Sequence, residues 1–306
     1  MQNRRQFIRT TTAAGVVAST APLVSSCSAG AESLFSISLA QWSLNRRIFD
    51  GDLDAIDFPI FANETFGIEA VEYVNQFFMD RAEDRVWLGN LRRRCEDNGV
   101  QSLLIMCDRE GNLGDPDDAA RTTAVENHYK WADAAEFLGC HSLRVNAGSA
   151  GSWDEQRELA TDGLRRLSEF SAERGLNVIV ENHGGLSSNG RWLREVITGV
   201  GLDNCGTLPD FGNFRIGPNA EYDKYRGVQE LMPFARGVSA KSYGFDANGD
   251  ETTIDFRRML GIVLDAGYRG YVGVEWEGMM PGDIEGIRLT QRLLERVREE
   301  LADQYL

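Results

Sequence analysis

Asn177-Val-Ile-Val-Glu-Asn-His183 is a short apolar run that ends in a carboxylate, and two later runs have the same design. These are Gly206-Thr-Leu-Pro-Asp-Phe-Gly-Asn213 and Tyr271-Val-Gly-Val-Glu-Trp-Glu-Gly278. Each run is followed by a helix-like stretch, which is typical of the buried strands of a parallel sheet. A carboxylate at the tip of a buried strand is costly unless something compensates its charge. Three such tips therefore indicate a shared role.

The carboxylates concerned are Glu181, Asp210 and Glu275. If their strand ends converge, the three side chains can hold one cation. Oxygen ligands suit hard divalent ions, so we expect Mn²⁺ or Mg²⁺, with Zn²⁺ or Co²⁺ as the alternatives. The competing interpretation is that each carboxylate caps the helix that follows its strand.

The three runs belong to a series of eight strand-like segments separated by helix-like stretches of 3.6-residue periodicity. The predicted strands are 35–40, 68–74, 102–107, 142–145, 178–180, 205–208, 235–240 and 271–274. This series predicts a (β/α)₈ TIM barrel over residues 34–306. A doubly wound open sheet is the alternative, but it calls for a Gly-rich phosphate loop after an early strand, and the sequence has none.

The first 26 residues have the character of an export signal. Arg4-Arg5 precedes Phe-Ile and a mildly apolar stretch that is too short to span a membrane permanently. Small residues then lead to Cys27, which resembles a lipoprotein processing site; ordinary cleavage near Ala29 or Ala31 is the alternative. We therefore expect a twin-arginine signal at 1–26, a tether at 27–33, and a periplasmic or membrane-anchored protein whose membrane contact is a lipid on Cys27.

Composition excludes several partners. The chain has 47 acidic and 32 basic residues and a net charge of −15, which disfavours nucleic acid and anionic lipid surfaces. The cysteines show no paired spacing, so a zinc–thiolate site is not expected. The expected partner is a small carbohydrate, and the sequence does not define the oligomeric state.

In a TIM barrel the active site forms at the carboxyl ends of the strands, so polar residues there are candidates for substrate binding. Alternation along a strand places Glu181 with His183, and Arg144 with Asn146, on one face. Of the three histidines, only His183 has such a position. The candidate substrate-binding residues are Trp42, Glu72, Arg144, Asn146, His183 and Asn213.

Four motifs in barrel order carry a family resemblance: Glu-Asn-His-Gly-Gly at 181–185, Leu-Pro-Asp-Phe-Gly-Asn-Phe at 208–214, Ser-Ala-Lys-Ser-Tyr at 239–243 and Gly-Val-Glu-Trp-Glu-Gly at 273–278. Together they resemble the sugar phosphate isomerase/epimerase superfamily, the xylose isomerase-like barrels, and here an exported subgroup of it.

The resemblance implies one divalent metal bound by Glu, Asp, His and Glu, with the two glutamates moving a proton next to a carbonyl. Glu181, Asp210 and Glu275 match three of these ligands, whereas Ser239 stands where the histidine is expected. Asn213 matches a position that contacts substrate hydroxyls. The ion is therefore expected to keep an open position.

The expected activity is a metal-dependent sugar isomerase or epimerase, in which Glu181 and Glu275 exchange a proton with the substrate. Lys241 is a candidate for stabilising the developing oxyanion, or else it neutralises an acidic core. A lyase or hydrolase of oxidised (3-keto) glycosides would begin with the same proton abstraction. A non-catalytic sugar-binding lipoprotein is the third reading, supported by the missing histidine.

The export signal gives a first prediction. Changing Arg4 and Arg5 to Lys should retain the precursor in the cytoplasm, because the twin arginine is the feature that the export route reads. Cell fractionation with detection of the precursor checks this. A mature protein that stays unlipidated with Cys27 intact would contradict the lipid anchor while leaving export itself in place.

Overall fold

Eight parallel strands curl around one axis in the computed structural model, which describes residues 33–306. Their bounds are β1 (Ser36–Ala40), β2 (Ala70–Val74), β3 (Gln101–Met106), β4 (Ser142–Val145), β5 (Asn177–Glu181), β6 (Cys205–Leu208), β9 (Val238–Ser242) and β10 (Tyr271–Trp276). They pair in the order β6-β5-β4-β3-β2-β1-β10-β9. The expected signal, Cys27 and all of the expected tether except Ser33 lie outside the described residues.

The sheet closes between β6 and β9 through isolated bridges rather than a continuous ladder. Thr207 pairs with Ala235, and Asp210 pairs with Ser239. The Ser239 carbonyl accepts a hydrogen bond from the Phe211 backbone N–H at 3.1 Å. The expected TIM barrel is thereby confirmed, and the open doubly wound sheet is excluded.

Helices cover the outside of the barrel. Within residues 33–306 they are α1 (Asn45–Phe49), α2 (Phe58–Phe66), α3 (Arg85–Asp97), α4 (Asp118–Leu138), α5 (Trp153–Ala172), α6 (Gly190–Val200), α7 (Lys224–Leu231), α8 (Phe256–Asp265), α9 (Asp283–Glu300) and α10 (Ala302–Tyr305). Gly139 and Gly201 end α4 and α6 in the left-handed conformation, with φ of 78° and 67°. None of these helices is both long and apolar enough to cross a bilayer.

Strand alternation sorts the side chains into two layers. Val178 and Val180 of β5 pack outward in the large core beneath the helices, whereas Ile179 joins a small apolar cluster with Leu104 and Leu208. In β4, β5, β9 and β10 the inward positions near the carboxyl ends are polar and buried. The alternation of side chains along each strand therefore brings polar residues of β4, β5, β9 and β10 together at one end of the barrel.

Two features differ from the sequence expectation. The seventh predicted strand, 235–240, lies at Val238–Ser242, because Met232–Phe234 forms a 3₁₀ turn and the pairing with β10 extends to Ser242. A short hairpin of β7 (Arg215–Gly217) and β8 (Ala220–Glu221) follows β6. Its strands are too short to give a periodic signal.

Close packing of α5 gives a stability prediction. A Cβ on Gly163 would collide with the Leu113 carbonyl oxygen, so Gly163→Ala should destabilise the fold by about 1–3 kcal/mol, as overpacking does. Gly261 in α8 is the matched control, since its nearest neighbour to a new Cβ is the Tyr305 hydroxyl at 3.9 Å.

Gly261→Ala should be neutral or stabilise by up to about 1 kcal/mol, because Ala favours helix over Gly. Urea unfolding monitored by circular dichroism checks both variants. Equal stability of the two would contradict the close approach of α5 to Leu113.

Candidate metal centre

Glu181, Asp210 and Glu275 meet at the carboxyl end of the barrel and form what we call the acidic triad. One carboxylate oxygen from each lies within 4.8 Å of the others, and all three side chains are buried. Glu181 ends β5, Glu275 lies in β10, and Asp210 follows β6 by two residues. The convergence expected from the sequence is thus present, and separate helix-capping roles do not describe these residues.

The loop after β6 fixes the direction of Asp210. Its Oδ1 accepts hydrogen bonds from the backbone N–H groups of Gly212 and Asn213, each at 2.7 Å, so Oδ2 is left for the triad. The Asn182 side chain accepts from the Asp210 N–H at 2.8 Å and donates to the Asp210 carbonyl at 3.0 Å. Asn182 was absent from the predicted site; its place between Glu181 and His183 was the available signal.

Ser239 occupies the centre of the arrangement. Its Oγ lies 2.9 Å from Asp210 Oδ2 and 2.5 Å from Glu275 Oε2. A hydroxyl has one proton and can donate to only one of these oxygens at a time. Ser239 is therefore a neutral oxygen at the position where the resemblance expects a histidine. The triad carboxylates and the Ser239 hydroxyl together offer a metal ion only oxygen ligands.

Lys241 places a buried ammonium beside the triad. Its Nζ lies 3.5 Å from Asp210 Oδ2, 3.3 Å from Glu275 Oε1 and 3.1 Å from Glu277 Oε1. Burial lowers the pKa of Lys241, but the charges of Asp210 and Glu275 outweigh it and hold that pKa well above its usual range. Lys241 is a fixed cation in this site.

Glu181 is held at both of its oxygens. Arg144 Nε donates to Oε2 at 2.5 Å, and Asn213 Nδ2 donates to Oε1 at 2.7 Å. Arg144 also donates to Asp108 Oδ1 at 2.9 Å, which Asn146 contacts at 2.8 Å. Of the predicted substrate-binding residues, Arg144, Asn146 and Asn213 are therefore linked to the triad through one hydrogen-bond network.

The three triad carboxyls differ in their protonation preference. Burial would raise the pKa of Glu181, yet Arg144 and Lys241 outweigh it and the pKa is lowered. Burial raises the pKa of Asp210 well above its usual range, and Lys241 offsets this only in part. Burial and the charge of Glu181 raise the pKa of Glu275. A bound divalent ion would favour the charged form of all three.

A cavity of about 340 Å³ opens above the triad and is called the smaller cavity here. Its lining includes Trp42, Asp108, Arg144, His183, Glu275 and Glu277. Trp42 stacks on Phe77 with ring centroids 5.9 Å apart and donates from Nε1 to Glu277 Oε1 at 2.9 Å. The exposed His183 side chain stands at the edge of this cavity and is not part of the triad's cluster. Glu275 lines the cavity, whereas Glu181 does not and is instead bonded to Arg144 and Asn213.

Glu72 does not line this cavity, in contrast to the sequence expectation. Strand β2 continues two residues beyond it to Val74, so Glu72 lies inside the barrel. Its Oε1 accepts from Ser38 Oγ at 2.6 Å, and burial raises its pKa to about 7. The sequence prediction had the inward direction of the Glu72 side chain right, but it placed Glu72 too near the carboxyl end of the strand.

The family model described as the xylose isomerase-like TIM barrel matches residues 61–299. The chain belongs to this family. The family-level resemblance expected from the sequence is thereby confirmed.

A curated relative, the 3'-dehydrocarminate deglycosidase alpha subunit of a Microbacterium species, is 29% identical over 179 residues, covering 56% of this chain and 47% of that protein. The chain thus spans about half the length of this relative. A crystal structure of 3-keto-D-glucoside 4-epimerase from E. coli is similar with a TM-score of 0.64 and 16% identity, over 79% of this chain and 94% of that one.

A third similar protein is a xylose isomerase-like TIM barrel protein from Mycobacterium smegmatis, crystallised in complex with magnesium. It has a TM-score of 0.64 and 16% identity over 87% of this chain and 98% of that one. At such identities the likeness of the solved structures concerns the fold.

The triad gives a metal-binding prediction. The protein should bind one Mn²⁺ or Mg²⁺, and Glu181→Gln, or Asp210→Asn with Glu275→Gln, should weaken binding by more than the roughly 10–100-fold typical of residues around a metal site. Affinity should also fall as the pH is lowered, because protons compete for Asp210 and Glu275, whose pKa values are raised.

Titration calorimetry with elemental analysis measures both effects. Glu110→Gln is the matched control, since Glu110 is also a buried glutamate but pairs with Lys130 and does not belong to the triad. Unchanged metal content in the double variant would refute the assignment of the triad as ligands.

Proposed function

We propose that this protein is a metal-dependent sugar isomerase or epimerase that moves a proton at the carbon next to a carbonyl. The observation that carries the proposal is the buried acidic triad beside Lys241 at the base of the smaller cavity. The donor set fits a hard divalent ion because it consists of carboxylate oxygens and one hydroxyl. Glu181, Asp210 and Glu275 would hold this ion, with Mn²⁺ or Mg²⁺ preferred.

A bound divalent ion would stabilise the negative charge that develops on the substrate's carbonyl oxygen. The protein's own residues divide the remaining tasks. Glu275 borders the cavity and is placed to take the proton from carbon. Lys241, 3.3 Å from Glu275 Oε1, adds a positive charge beside the developing oxyanion.

Glu181 has a different position from Glu275. Arg144 and Asn213 each bond one of its oxygens and it does not line the smaller cavity, so it serves first as a fixed anion. Return of the proton by Glu181 to the opposite face requires Arg144 or Asn213 to release it. Trp42 supplies a flat apolar wall for the C–H face of a sugar, and Arg144 and His183 supply polar contacts.

A second candidate reaction is the cleavage of an oxidised glycoside. Proton abstraction next to a 3-keto group would be followed by loss of the leaving group rather than by proton return. The curated relative named as a 3'-dehydrocarminate deglycosidase subunit supports this candidate. The 3-keto-D-glucoside 4-epimerase shares only the fold with this chain.

We also propose that the protein acts outside the cytoplasm, as a twin-arginine substrate with a lipid on Cys27. This proposal rests on the sequence around Arg4-Arg5 and Cys27.

The decisive experiment follows the proton and the product together. The Mn²⁺-loaded protein is incubated in D₂O with ketoses and with 3-keto-glucosides, and deuterium uptake next to the carbonyl is measured by NMR. An isomer whose mass differs from that of the substrate only by exchanged deuterium indicates isomerase or epimerase activity, whereas a free aglycone indicates cleavage. Ligand-induced stabilisation without exchange would refute both reactions and leave a binding protein.

Lys241→Met should lower turnover about 100-fold, as removal of an oxyanion-stabilising group does, while metal content changes much less. Lys130→Met is the matched control, because Lys130 pairs with Glu110 and does not line the cavity. Full activity of Lys241→Met would show that its ammonium only neutralises the buried acids.

A further inference from the structure

A larger cavity of about 610 Å³ lies beside the smaller one. The β7–β8 hairpin, the start of α7 and the loop after β9 form its walls. The residues used below are His183, Asn213, Phe214, Arg215, Lys224 and Tyr243, all of which line it. The proposed reaction at the triad uses none of the hairpin or α7 residues.

The two cavities adjoin at His183, which lines both. Asn213 makes a second link, since its side chain donates to Glu181 at 2.7 Å and it also lines the larger cavity. Both cavities fall within the range of roughly 300–1,000 Å³ that small-molecule sites occupy, with the smaller one near its lower limit. A ligand whose reactive ring fills the smaller cavity can therefore continue past His183 into the larger one.

Aromatic surface and free hydrogen-bonding capacity characterise the larger cavity. Tyr243 is half-buried and Phe214 is almost fully buried, and both line the cavity. Tyr243 lies against Gly212, where a Cβ would collide with its hydroxyl oxygen, so the ring fits there because residue 212 has no side chain. Among residues 33–306 the Tyr243 hydroxyl forms no hydrogen bond, which leaves it available to a ligand.

The larger cavity also contains two cations that are not neutralised. Within the described part of the chain, Arg215 and Lys224 form no ion pair, and Lys224 Nζ donates only to the Thr253 carbonyl at 3.0 Å. Glu221 is the one acid among the lining residues. In a chain with 47 acidic and 32 basic residues, an excess of positive charge beside a cavity selects for an anionic ligand group.

From these contacts we infer that the substrate is a glycoside whose aglycone occupies the larger cavity, and that this aglycone is an aromatic ring with an acidic substituent. The inference rests on the proposed sugar site at the triad and holds for either reaction there. The ring packs on Tyr243, and the acidic group pairs with Lys224 and Arg215. His183 stands at the junction between sugar and aglycone.

The test compares three ligands that share one sugar: the methyl, phenyl and 4-carboxyphenyl 3-keto-β-D-glucosides. Binding to the Mn²⁺-loaded protein is measured as a ligand-dependent melting shift, which registers affinity whether or not the ligand turns over. We expect the 4-carboxyphenyl compound to bind at least about tenfold more tightly than the methyl compound, with the phenyl compound between them.

Lys224→Met should lower the affinity for the 4-carboxyphenyl compound to about that for the phenyl compound. Arg226→Met is the matched control, because Arg226 lies on the same helix α7 but pairs with Glu230 and does not line the cavity. The preference should persist in this control.

The outcomes separate the two levels of inference. If none of the three ligands binds, the aglycone inference is refuted, and turnover of ketoses then decides whether the proposed function survives. If all three bind equally, the sugar site stands and the aglycone inference is refuted. Equal binding of the phenyl and carboxyphenyl compounds, or an unchanged preference in Lys224→Met, refutes the assignment of the acidic group.

Discussion

Like charge within a buried space is the constraint on which this structure depends. Three carboxylates lie within 4.8 Å of one another at the end of the barrel, where solvent screens them little. Arg144 and Lys241 are the buried cations that offset them, one beside Glu181 and the other beside Asp210 and Glu275. Removing one member of such a cluster leaves uncompensated charge. Each member of the cluster therefore depends on the charges of the others.

Strand parity explains why this cluster forms at all. In β9 the outward residues Val238 and Ala240 join the large core, so Ser239 and Lys241 point inward. The same alternation turns Glu275 of β10 inward between outward apolar neighbours. A one-residue slip of either strand would expose the apolar set and bury the wrong side chains, so the hydrophobic core fixes the register of the site.

The sequence was sufficient for the strand order, the barrel and the meeting of the triad, because each follows from apolar periodicity and from the parallel direction of the strands. It was not sufficient to predict how far along its strand a given residue lies. Glu72 follows the same pattern as Glu275 yet is enclosed within the barrel, since the end of β2 depends on pairing with β1 and β3. Asn182 was missed because side-chain bonds to loop backbone leave no periodic signal, and the β7–β8 hairpin was missed because its strands are too short.

Glu277 resolves an electrostatic conflict between Lys241 and a metal ion. Both cations would draw on the same triad, and an ion there would repel the ammonium. Glu277 Oε1 lies 3.1 Å from Lys241 Nζ and 2.9 Å from Trp42 Nε1, and it stands outside the triad. It offers the ammonium a partner that the ion does not need. Lys241 can therefore remain charged beside the triad when the triad's own charge is committed to a metal, and the proposed chemistry requires this charged state.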